Sequence, residues 1–191
     1  MGSVALGLGV GMTSTLTRTV EAPSALVVLT DTEQAIVKHV ARTRFEKNRA
    51  RGVVDAKIGP QSNEQTDVDG FGAEMAAAKL LNCWPDFQTD DAPDWDMKVG
   101  EWTIDVKSTA YPNGKLLARL SKSVAPCDIY VLMVGTFPEF RCAGFAFRSE
   151  MFAESSVTDL GWGSTYALPQ EALQPIERLD KVIRYIRRHD D

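Results

Sequence analysis

Apolar residues recur at helical spacing in the first part of the chain and at strand spacing in its middle. Ile36, Val37, Val40, Ala41 and Phe45 fall on one face of a predicted helix. Thr30-Asp31-Thr32-Glu33 carries its capping-box signal, with Thr30 at the N-cap and Glu33 at N3. This helix should fray near Gly52. Residues 53–69 are polar and turn-rich (Gly59-Pro60, Ser62-Asn63, Asp67, Asp69) and predict a mobile loop. A second, Ala-rich helix is predicted over 70–81, capped by Asp69, with Phe71, Glu74, Ala78 and Leu81 on one face. Glu74 is therefore an acid on a stripe suited to burial, which is costly without a partner. Trp84-Pro85 ends the helical region, and Asp86–Asp94 reads as an acidic loop.

The pattern then changes to alternation. Asp94-Trp95-Asp96-Met97-Lys98-Val99, Gly100-Glu101 and Trp102-Thr103-Ile104-Asp105-Val106-Lys107 predict a β-hairpin with polar residues turned in and apolar ones out. With Gly100-Glu101 as a two-residue turn, Val99 faces Trp102, Met97 faces Ile104 and Asp96 faces Asp105. Lys107 lies two residues along on the same face. Opposed carboxylates repel and weaken a sheet, unless a cation sits between them. After a Pro112-Asn113-Gly114 turn, Lys115–Leu120 predicts a third strand. The continuous apolar run Ile129–Val134 is the signature of a strand buried on both faces. Phe140–Arg148 predicts another strand beyond the Phe137-Pro138 turn. Gly161-Trp162-Gly163 is a loop, and Pro169 opens a short helix over Gln170–Leu173. Pro175 precedes a last amphipathic helix bearing Leu179, Val182, Ile183 and Ile186. Helices, then strands, then helices make an α/β sandwich.

Length, 191 residues, fits one domain with a real core. The Gly-rich opening, Met1 to Ser14, lacks the basic start of a signal peptide, so residues 1–24 are expected to be a disordered leader and 25–191 a single domain. No apolar run approaches the roughly 20 residues a membrane span requires. Cys83, Cys127 and Cys142 are scattered and odd in number, which fits free thiols in a reducing cytoplasm rather than a zinc site or a disulfide framework. Only His39 and His189 are present, which disfavours Ser-His-Asp, Cys-His and histidine-metal machinery. Chemistry would then rest on carboxylates, lysine and a hard metal.

The net charge of −5 argues against a nonspecific nucleic-acid coat. Its distribution is uneven, however. Lys38, Arg42, Arg44, Lys47, Arg49 and Arg51 stand against Glu46 alone, and Lys181, Arg184, Arg187 and Arg188 close the chain. Each cluster is either an anion-binding face or a solvated helix face. Gly7-x-Gly9-x-Gly11 has no preceding strand, so it does not support dinucleotide binding, and no P-loop occurs. Trp84, Trp95, Trp102 and Trp162 suit either base stacking or packing.

Glu74, Pro93-Asp94-Trp95-Asp96 and Asp105-Val106-Lys107 together resemble the PD-(D/E)XK nuclease superfamily over about residues 70–135. Gly70-x-Gly72-Ala73-Glu74-x-Ala76, followed by Ile104-Asp105-Val106-Lys107-Ser108-Thr109, looks like small phage-type members. The resemblance implies a restriction-endonuclease-like mixed central sheet flanked by helices. It also implies a Mg2+-dependent deoxyribonuclease, of the endonuclease kind, with Mn2+ able to substitute, acting in the cytoplasm, or the host's if phage-encoded. Asp96 and Asp105 would supply metal-ligating carboxylates, the Val106 carbonyl a further ligand, and Glu74 would hold a metal-bound water or a second ion. Lys107 would orient or help deprotonate the attacking water. DNA would lie along Lys38–Arg51, and a homodimer could cut both strands. Asp94 fits the family's Pro-Asp spelling whereas Asp96 fits the cross-strand geometry. A fold of this kind that only binds DNA or a partner protein is the alternative; a non-nuclease metal-dependent hydrolase is a third.

Overall fold

The computed structural model describes residues 26–52, 63–89, 94–124, 126–161 and 163–189. The expected leader at 1–24, residues 53–62 of the expected loop, Pro93 and Trp162 lie outside the described residues, as does the side chain of Ile186.

Strand β1 (Leu26–Val28) leads into helix α1 (Asp31–Ala50). The capping box forms as the sequence predicts: the Thr30 N–H donates to Glu33 Oε2 at 2.6 Å, and the Glu33 N–H donates to Thr30 Oγ1 at 3.4 Å. Val37, Val40 and Ala41 are buried, while Ile36 and Phe45 reach only the rim. Gly52, at φ 70°, ends the helical path.

Helix α2 (Asn63–Leu80) begins well before Gly70, so residues 63–69 are helical rather than loop, and Asp69 is not its cap. Asp69 instead accepts a hydrogen bond from the Phe137 N–H at 2.9 Å, tying the helix to a distant turn. One glycine inside the helix has a tertiary use. A Cβ on Gly72 would stand 3.1–3.2 Å from the Phe137 and Phe140 rings, so the bare backbone allows the helix to seat there. Ala73 and Ala76 to Ala78 are all buried, as are Phe71 and Leu81. The helix closes in a Schellman arrangement. Asn82 takes φ 51°, the Cys83 N–H donates to the Ala78 carbonyl (2.9 Å), and the Asn82 N–H donates to the Lys79 carbonyl (3.3 Å).

The remaining elements are β2 (Met97–Val99), β3 (Trp102–Thr109), β4 (Leu116–Ala118), β5 (Ile129–Thr136), β6 (Glu139–Phe147), α3 (Arg148–Met151), β7 (Val157–Asp159), β8 (Ser164–Leu168) and α4 (Ile176–His189). A five-stranded sheet runs β1-β6-β5-β3-β2, with β3 and β5 parallel and every other pair antiparallel. A three-stranded antiparallel sheet runs β4-β8-β7. The strand expected at Lys115–Leu120 is thus short, and Leu120–Ser123 turns into a 3-10 helix. The strand expected at Phe140–Arg148 is Glu139–Phe147, and the short helix after Pro169 is a 3-10 turn, Gln170–Ala172. Strands β1, β7 and β8 were not foreseen.

The architecture is mixed α/β, in layers. Helices α1, α2 and α4 cover one face of the large sheet, where Phe71, Leu81, Ile104, Val131, Met133 and Leu179 form the main core. The small sheet and α3 cover the other, where Leu116 and Met151 pack with Tyr130, Leu132 and Ala146. Strand β5 is buried on both faces from Ile129 to Val134, as its unbroken apolar run predicts. No helix of the described residues is long and apolar enough to cross a membrane.

Candidate functional site

The predicted hairpin register is the observed one, with Val99 opposite Trp102 and Met97 opposite Ile104. Gly100, at φ 56°, makes the turn. The expected facing is reversed on one point. Met97, Val99, Ile104 and Val106 are the residues turned in, against the helices, while the alternate set turns towards the small-sheet side. That side is covered too, because the large sheet is sandwiched, so Asp105 is only 3% exposed.

Asp96 lies just before β2 and is held on three sides. Its N–H donates to the Ile104 carbonyl at 2.9 Å, its carbonyl accepts from the Asp86 N–H at 2.7 Å, and its Oδ2 accepts from the Val106 N–H at 2.6 Å. Asp105, beside Tyr130 in the parallel ladder, accepts from Lys107 Nζ at Oδ1. Its Oδ2 is buried and accepts no hydrogen bond among the described residues. A carboxylate oxygen stripped of water without a partner is expensive, and a cation is what would satisfy it.

Glu74 approaches from α2. Its side chain is 13% exposed and is gripped by Arg44 Nη1 at 3.1 and 3.5 Å. Burial first, then the negative charge of Asp96, pushes the Glu74 carboxyl up to about 8 against the pull of Arg44 and Lys107. Burial and the Asp105 charge push Asp96 up to about 6, opposed by Lys107, the Val106 N–H and Arg44. Glu74, Asp96, Asp105 and Lys107 therefore form one electrostatic group, although they come from two layers of the fold.

A raised carboxyl pKa means that the native state holds a proton the unfolded chain has already released. Stability supplied by that proton is full below the unfolded value near 4 and is lost as pH rises through the native value. Without metal, the melting temperature should accordingly fall between about pH 5 and 8. The Asp96→Asn variant should flatten the slope, and millimolar Mg2+ should restore the loss. A thermal-melt series over pH checks this; a melting temperature that climbs across the window would refute it.

Asp94 stands apart from this group. Its side chain is largely in solvent and pairs with Lys122 at 2.9 Å, which holds the carboxyl below the usual carboxylate range. Of the two candidates, the structure brings Asp96, not Asp94, against the Asp105 strand. Lys122, on the 3-10 turn after β4, also feels the charge of Asp105, so a second ammonium contributes to the field there. No motif marks it in the sequence. Nearby, the Cys127 thiol donates to the Asp94 carbonyl at 3.1 Å and is pushed up to about 11, mainly by burial.

The basic helix is only partly a free face. Arg44, expected among the DNA contacts, is turned inward: besides Glu74 it donates to the carbonyls of Asp86 (2.8 Å) and Gln88 (3.3 Å) and lies 4.6 Å over the Phe71 ring. That inward geometry corrects its placement on a DNA face. Lys47 donates to Thr89 Oγ1 at 2.7 Å, and Lys38 and Arg49 lie over the Phe137 and Phe45 rings. Arg42 pairs with Glu46 at 2.8 Å, and Arg51 caps the helix.

Among the described residues, no group of three or more His, Cys, Asp or Glu side chains is arranged to hold a metal ion. What fits a hard cation is the Asp96–Asp105 pair with its one unsatisfied oxygen, an all-oxygen donor set of the kind Mg2+ prefers.

Fold and site thus define a mixed α/β protein with a cluster of buried carboxylates and one lysine at a β-hairpin. Residues 20–143 match the model of a family of unknown function, DUF5843, and the chain belongs to that family. No curated protein and no solved structure matches it.

Proposed function

We propose that the chain is a Mg2+-dependent DNA nuclease with a restriction-endonuclease-like core, hydrolysing phosphodiester bonds at the Asp96–Asp105–Lys107 pocket and acting in the cytoplasm. One observation carries the reading: the buried Asp105 carboxylate, with Lys107 on one oxygen, no partner among the described residues on the other, and Asp96 alongside.

Asp96 and Asp105 would hold the ion, with the Val106 carbonyl and Glu74 as further oxygens; Mn2+ would serve as well. When bound, it supplies positive charge against the phosphate and lowers the pKa of a water. Lys107, partly exposed and hydrogen-bonded to Asp105, can orient the attacking water and offset charge on the phosphate. Glu74, whose carboxyl titrates high, can keep or give up a proton near neutral pH. Lys38, Arg42, Arg49 and Arg51 would follow the DNA backbone, giving salt-sensitive affinity. A homodimer would place two such pockets on opposite strands.

A second reading, a nuclease-like fold that binds DNA or a partner protein without cutting, has its own support in the Arg44 guanidinium already seated on Glu74. Calorimetric titration with Mg2+ and Mn2+, alongside plasmid digestion, separates the two. Heat of binding that Asp105→Asn abolishes, together with cleavage, supports the nuclease. No heat and no cleavage, with DNA retained in EDTA, supports the binding module.

A further inference from the structure

Trp84 is 77% exposed, a large indole left in water on a backbone that is firmly held. It follows the Schellman closure of α2, and the buried Pro85 restricts it to extended conformations. Beyond it the loop is pinned at several points. The Asp86 N–H bonds to the Asp96 carbonyl at 2.7 Å, Arg44 bonds to the carbonyls of Asp86 and Gln88, and Lys47 bonds to Thr89. A run of rings leads outward: Arg44 over Phe71, Phe71 edge-on to Phe87 at 5.9 Å, and Phe87 tilted against Trp84 at 6.2 Å. The last turn of α1 adds Lys47, which reaches Thr89 of the loop. Through Asp86, this aromatic and basic ledge is joined directly to the backbone of Asp96.

We propose that Trp84 is a stacking platform for an unpaired base, so that the site takes nucleic acid with single-stranded character, such as a single strand, a frayed end or a flap. This inference rests on the nuclease reading for its chemistry and adds the substrate class. In an intact duplex both faces of each base are already stacked, and only an unpaired base offers a face to the indole. Because the indole's backbone is already held, stacking costs little ordering. Lys47, bonded to Thr89 of the same loop, supplies positive charge for the strand's phosphates.

Anisotropy of the full chain in EDTA tests it, with a labelled single strand of about 15 nucleotides, the same strand with an abasic spacer, and the matching blunt duplex. The wild type should prefer the intact single strand. Trp84→Ala should weaken that binding about 5- to 100-fold, the scale of one lost base–aromatic stack. Trp84→Phe should recover most of it, and the Ala variant should no longer discriminate against the abasic strand. Single-strand binding unchanged by Trp84→Ala, equal or better binding of duplex by the wild type, or no oligonucleotide binding at all overturns the proposal. So does a wild-type dimer that Trp84→Ala splits without loss of DNA affinity, which would make the indole a protein contact. Parallel digestion in Mg2+ keeps the two readings apart. Trp84-dependent binding without cleavage sinks the nuclease alone, and cleavage with Trp84-independent binding sinks the platform alone.

Discussion

Asp105→Ala should reduce Mg2+-dependent DNA cleavage by roughly three orders of magnitude or more, the scale on which a positioned charge or acid–base group acts. It should do so without lowering thermal stability. In the wild type the Asp105 carboxylate is buried with one unsatisfied oxygen, so removing it relieves a desolvation cost. The lysine left behind is more than a third exposed and can find water. It also removes one source of the pressure on Asp96. Lys107→Ala should likewise abolish cleavage. A protein that loses activity while holding or gaining stability has spent structure on a functional site. Plasmid digestion and thermal melts on the same preparations decide the matter. A large drop in melting temperature with cleavage intact would show that Asp105 and Lys107 merely brace the hairpin.

Arg44→Ala should have the opposite signature. The guanidinium joins Glu74, the carbonyls of Asp86 and Gln88 and the Phe71 ring, and it is one-fifth exposed. Breaking a buried pair by removing one partner costs about 3–5 kcal/mol, and partial exposure here brings the expectation to about 2–3 kcal/mol. For a chain of this size that lowers the melting temperature by roughly 5–10 °C. Arg44→Lys should rescue little, since one ammonium cannot replace a planar fork. Arg42→Ala, on the solvent side of the same helix, should leave the melting temperature close to that of the wild type. Equal, small effects at both positions would return Arg44 to the set of surface cations.

The hairpin was legible because a two-residue turn fixes its register, and a slip of one residue would have put Met97 and Ile104 on the wrong face. Strand β5 was legible because burial on both faces removes every polar interruption. The start of α2 was not. Asn63 to Asp69 are almost all polar, and Asp69 is tied into place by the N–H of Phe137, a residue far along the chain. The short strands β1, β7 and β8 carry too few residues for a pattern. At the site, spacing put Glu74 on a buried helix face and the superfamily resemblance grouped it with the hairpin acids, whereas the inward turn of Arg44 and the approach of Lys122 depend on contacts that no local motif records.

Pairing within the small sheet also sets an order of assembly. Strand β4 lies inside the family-matched segment, yet its partner is β8, with Leu116 opposite Leu168, beyond that segment's end at residue 143. As the chain leaves the ribosome, the Tyr130 and Leu132 face stays uncovered until β8 emerges. A fragment cut at the family boundary would therefore expose that apolar face and aggregate.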